Sequence, residues 1–75
     1  MKDITNYSEN ELSLIIQNDE YLYGIWRRTI RTGNLEYIKM EIQNIKYSDE
    51  QWESVVDDFE SELEQNEKAL IERNS

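Results

Sequence analysis

The stretch Tyr7-Ser8-Glu9-Asn10-Glu11-Leu12 returns forty residues later as Tyr47-Ser48-Asp49-Glu50-Gln51-Trp52. Each copy places a serine three residues ahead of Glu or Gln. The serine hydroxyl is positioned to accept from the N–H of that third residue, whose side chain reaches back to the serine N–H. This reciprocal pair is a capping box, and it starts a helix. The aromatic residue before each serine and the apolar residue four places after it, Tyr7 with Leu12 and Tyr47 with Trp52, are spaced as hydrophobic staples. Two independent caps of good chemistry explain the repeat better than an ancient duplication does.

The rest of the chain agrees with helices. Its 75 residues include no proline and two glycines, and a third are charged, a composition that suits helices better than sheets. A first helix is expected over about 9–17, burying Leu12, Ile15 and Ile16. Asn18-Asp19 then offers a break and a new cap, with one continuous bent helix as the alternative. A second helix over about 19–32 ends at Gly33, the usual residue past a helix terminus. Asn34 is placed to cap a third helix over about 35–46, whose Leu35, Ile38, Ile42 and Ile45 form one stripe. The fourth, over about 49–72, is the longest. The expected fold is all-α, a single domain spanning 1–75: a small bundle of three to four helices with a long acidic C-terminal helix.

Several functions are disfavoured by what the chain lacks. With no cysteine and no histidine, neither a disulfide nor an ordinary zinc site is available. A serine or threonine nucleophile has no histidine base, and so small a helical domain has little room for a water-excluding pocket. The calcium-loop and phosphate-loop patterns are absent. We expect no enzyme, no metal and no cofactor. The longest aliphatic run, Leu14-Ile15-Ile16, is far too short for a membrane span, and the cytoplasm is the expected compartment.

Charge is the most informative remaining feature. The net charge of −9 is uneven: residues 1–46 carry seven acids and six bases, residues 47–75 ten acids and two bases. On a helical wheel with Trp52 at 0°, Glu53, Asp57, Glu60, Glu64 and Glu67 fall between about 60° and 140°. They make a narrow ribbon about 21 Å long. Glu53–Asp57 and Glu60–Glu64 are like-charged pairs four residues apart, an arrangement that costs about 0.2–0.5 kcal/mol each. Such a ribbon is either an ordinary solvated face or a surface that meets basic residues in the manner of nucleic-acid phosphates. Direct nucleic-acid binding through this half is disfavoured by repulsion.

Two other groups stand out. On the second helix Tyr21, Leu22, Tyr23, Ile25, Trp26 and Ile30 span an arc of about 200°, with Arg27, Arg28, Arg31 and Gly24 opposite. The arginines are expected to pair with the acidic helix, with a protein interface or a nucleic acid as alternatives. Tyr37 and Met40 lie off the apolar stripe of the third helix and, with Trp26, are candidate anchors for a partner. Along the fourth helix Trp52, Val56, Phe59, Leu63, Asn66 and Leu70 alternate steps of four and three. That is a short heptad-like seam, whose distal part either stays in solution, docks on a partner or pairs with a second copy. Leu63, Asn66 and Leu70 are the candidate contacts of such a homodimer.

The opening "ITNYSENELSLII" is similar in style to the first helix of colicin immunity proteins, small acidic four-helix inhibitors. The tyrosine-pair motif of that family has no counterpart in "TGNLEYIKMEIQ", and its binding residues are not carried over. More broadly, "ELSLIIQNDEYLYG" followed by "YSDEQWESVVDDFE" resembles small acidic inhibitor proteins of bacteriophages and mobile elements, of the anti-CRISPR or anti-restriction type. The resemblance implies a stoichiometric inhibitor in the host bacterial cytoplasm. It would act on a defence or nucleic-acid-handling protein with a basic surface, through an acidic, partly DNA-mimicking helix face. The alternative is a structural homodimer or adaptor built on the C-terminal helix.

Overall fold

The computed structural model describes residues 2–74, with side chains described through Glu67. The order of elements is β1 (Lys2–Asp3), α1 (Glu11–Asn18), α2 (Glu20–Thr32), α3 (Glu36–Glu41), β2 (Ile45–Lys46) and α4 (Asp49–Asn74). Four helices dominate, as expected of an all-α bundle, and a short parallel bridge joins β1 to β2.

The second copy of the repeated stretch forms its capping box in full. Ser48 N–H donates to Gln51 Oε1 at 2.8 Å, and Gln51 N–H donates to Ser48 Oγ at 3.2 Å. Tyr47 and Trp52 stack at 6.0 Å between ring centroids, completing the staple. The first copy does not cap. Ser8 Oγ donates to Asn10 Oδ1 instead, α1 begins at Glu11 rather than 9, and Tyr7 stands exposed. The cause is tertiary. Gln51 Nε2 donates to the Ser8 carbonyl at 3.2 Å and to the Ile4 carbonyl at 2.7 Å, holding residues 4–8 as a turn against α4.

The expected break between the first two helices is present. Asp19 is extended, and its carboxylate accepts from Leu22 N–H at 3.0 Å. Gly33 closes α2 at φ 70°, where a side chain would be strained. Asn34 Oδ1 then accepts from Glu36 N–H at 3.0 Å, as its expected capping role requires.

The third helix is much shorter than the expected 35–46. After Glu41 the chain turns, and Ile45-Lys46 extends as β2 beside the N-terminal strand. Lys2 N–H donates to the Asn44 carbonyl at 3.2 Å and Ile4 N–H to the Lys46 carbonyl at 2.9 Å. These strand-to-strand bonds give partners to the Asn44 and Lys46 carbonyls, which would have been unpaired in the last turn of a helix ending at 46. Ile42 and Ile45 remain buried despite the change.

The core gathers Ile4, Leu12, Ile16, Leu22, Trp26, Ile30, Ile38, Ile42, Ile45, Val55 and Phe59. On α4 the buried positions are Gln51, Val55 and Phe59, while Trp52 and Val56 are half-buried. The buried side of α4 is therefore turned toward Val55, to about 300° on the wheel defined above, instead of centring on the Trp52–Val56 seam. Ser13 Oγ donates to Asp58 Oδ2 at 2.8 Å and fixes this rotation against α1.

Candidate functional site

Turning α4 toward Val55 decides where the acids go. Glu53, Asp57, Glu60, Glu64 and Glu67 are all exposed, and their arc lies about 160° from the buried side. The ribbon points away from the core into solvent rather than lying beside the apolar contact. It follows one side of the longest element in a molecule whose principal extents are 47 × 20 × 19 Å.

At its N-terminal end the ribbon widens. Glu53, Ser54 and Asp57 share a shallow depression of about 160 Å³ with Glu50 and with Glu9 from the segment before α1. Glu9 and Glu50 lie outside the expected ribbon. Glu50 falls off its arc on the wheel, and Glu9 arrives from another part of the chain, which no single-helix projection registers. Among the described residues no three His, Cys, Asp or Glu side chains converge to hold a metal ion. The carboxylates act as a distributed negative field, with the α4 N-terminus favouring the charges nearest it.

The expected apolar anchors separate. Tyr37 and Met40 are on the surface, at 36% and 63% exposed. Trp26 is not: it is 5% exposed and packs edge-on against Phe59, with ring centroids 6.4 Å apart. It is a core residue with no free face for a partner, because the buried side of α2 runs through Leu22, Trp26, Thr29 and Ile30. The tyrosines flanking that stripe, Tyr21 and Tyr23, are exposed instead.

The arginine face also has a different neighbour from the expected acidic helix. Arg28 lies over the Tyr37 ring of α3, 4.9 Å from its centroid. Nearby, Glu41 accepts from the Tyr21 hydroxyl, and this bond together with the carboxylate charge raises the Tyr21 pKa above its ordinary 10.0. Beside β2, Thr5 donates to Asp3 from both its hydroxyl and its N–H, holding the Asp3 carboxyl below its ordinary 3.8.

Of the residues expected to form a dimer, Leu63 is half-buried against the chain's own core. Asn66 is exposed, although it lies on the same side of α4 as Phe59, so the core ends before this turn. Leu70 falls outside the residues whose side chains are described. No described helix is long and apolar enough to cross a membrane. Comparison with known proteins identifies no relative: no family model, no curated protein and no solved structure matches the chain.

Proposed function

We propose that this is a non-catalytic binding protein whose acidic α4 face engages a basic surface on a partner protein. The observation that carries this reading is the orientation of Glu53, Asp57, Glu60, Glu64 and Glu67, all exposed and aimed away from the core. Like charges held in line are mutually repulsive, and a cationic partner would relieve that repulsion. Charge would speed and orient the encounter, and the exposed Tyr37 and Met40 would supply apolar contact to partners broad enough to reach them.

The finer proposal is inhibition. A partner that handles nucleic acid already carries a row of basic residues matched to phosphates, and a rigid helix with carboxylates on one side would occupy that row. A bacterial defence or nucleic-acid-handling protein, met in the cytoplasm, is the partner class that fits. The test is capture from bacterial lysate by the tagged chain beside its Glu53→Lys, Asp57→Lys, Glu60→Lys, Glu64→Lys variant. Capture of a basic nucleic-acid-handling protein by the wild type alone is expected. Equal capture by both proteins would remove the ribbon from the site.

A further inference from the structure

Gly24 occupies the middle of α2, where glycine is among the poorest helix formers. Its φ is ordinary, and a Cβ built there would meet nothing within 4 Å. Neither backbone geometry nor packing within the chain accounts for it. It sits on the exposed side of α2, opposite Leu22, Trp26, Thr29 and Ile30. Its neighbours on that side, at three, four and seven residues, are Tyr21, Arg27, Arg28 and Arg31, all exposed. The result is a flat place on a helix ringed by guanidinium groups. Arg28 is already oriented by the Tyr37 ring beneath it. Stacking uses the guanidinium face and leaves the in-plane N–H donors available for carboxylates.

We infer that this Gly24 shelf receives the acidic side of α4 from a second copy of the chain. The inference rests on the ribbon being a binding face, as proposed above, and adds its complement on the same molecule. Arg27 and Arg31 are separated along their helix by about 6 Å, as are Glu53 and Asp57 along theirs. Glycine lets the backbones approach closely enough for both pairs to meet. Arg27, Arg28 and Arg31 of one copy face Glu53, Asp57 and Glu60 of the other, so the charges are opposite at this contact even though each copy carries a net −9. Because α2 and α4 are different surfaces, the contact is heterologous.

Sedimentation equilibrium of the wild type at low salt reads the outcome. Mass rising with concentration is expected, falling back toward the monomer in about 0.5 M salt. A monomer at every concentration in low salt would overturn the inference. Arg27→Glu, Arg28→Glu, Arg31→Glu should weaken association about tenfold or more while retaining lysate capture through the intact ribbon. Glu53→Lys, Asp57→Lys, Glu60→Lys should weaken both. Combining all six reversals keeps the net charge at −9 and should restore association with the polarity exchanged; continued monomer there counts against the contact. A Cβ at the exposed Gly24 meets nothing within 4 Å, so Gly24→Leu should keep the fold, checked by circular dichroism, while association should again fall about tenfold or more. Wild-type association by Gly24→Leu would overturn the shelf geometry. If the wild type stays monomeric yet binds a labelled oligonucleotide through the arginines, the face belongs to nucleic acid and the inference fails.

Discussion

The Gln51 side-chain amide donates to the Ile4 carbonyl at 2.7 Å across 47 residues of sequence. The same side chain accepts from Ser48 N–H and donates to the Ser8 carbonyl, so a residue only 1% exposed has its polar atoms satisfied. One glutamine thus caps α4 and ties down the N-terminal segment.

Replacing Gln51 by Leu should be among the most damaging single changes at a polar position. It leaves the Ser48 N–H without its acceptor and strips one of two donors from the Ile4 and Ser8 carbonyls, which keep Tyr7 N–H and Glu11 N–H. A buried unsatisfied polar group costs about 1–3 kcal/mol. Gln51→Glu keeps an acceptor for Ser48 but turns a carboxylate toward the Ile4 and Ser8 carbonyls. Urea denaturation should show both variants destabilised by about 2 kcal/mol or more. A loss below about 0.5 kcal/mol in both would contradict the role assigned to this side chain.

The two serines of the repeated stretch should behave differently. Ser48→Ala removes a formed cap and should cost about 1 kcal/mol. Ser8→Ala removes only a local hydroxyl contact to Asn10 and should stay within about 0.5 kcal/mol. Thermal unfolding of the two variants side by side measures the difference, and equal losses would mean that both boxes form.

Trp26→Ala should destabilise the chain by about 3–5 kcal/mol, enough to unfold a small domain. Met40→Ala, at an exposed position, should change stability by less than about 0.5 kcal/mol. Circular dichroism melts of the pair separate the core aromatic from the surface candidate. A folded Trp26→Ala protein with weakened partner capture would instead return Trp26 to the binding surface.

Two titrations carry a definite sign. Tyr21 has its pKa raised by Glu41. The stability this bond contributes is fully present below pH 10 and is lost as pH rises through the raised value. Spectrophotometric titration should find Tyr21 ionising above 10, and Glu41→Gln should bring it back toward 10. Asp3 is lowered by Thr5, so its contribution is present above pH 3.8 and is lost as pH falls through the lowered value. Thr5→Val should return the Asp3 carboxyl toward 3.8 in an NMR titration.

Much of the fold follows from local chemistry. Ser48-Gln51, Asp19, Gly33 and Asn34 act within a few residues of themselves, so their roles as caps and stops are legible in order along the chain. The exposure of the acids of α4 is likewise implicit in their shared arc. The first serine box fails because its outcome is not local: Gln51 reaches the Ser8 carbonyl from the far end of the sequence. The same holds for Ile45-Lys46, whose apolar spacing suits a helix until β1 supplies a pairing edge.

What the sequence by itself determined is therefore the helical class of the fold, the caps and stops at Asp19, Gly33, Asn34 and Ser48-Gln51, and the presence of a charged ribbon. Only the tertiary structure decided which side of α4 is buried, that Trp26 is core rather than anchor, and that Glu9 joins Glu50, Glu53 and Asp57 at one depression. Helix periodicity specifies which side chains share a direction. The direction itself is set by the long-range bonds of Gln51 and of Ser13 with Asp58, whose partners lie more than forty residues apart.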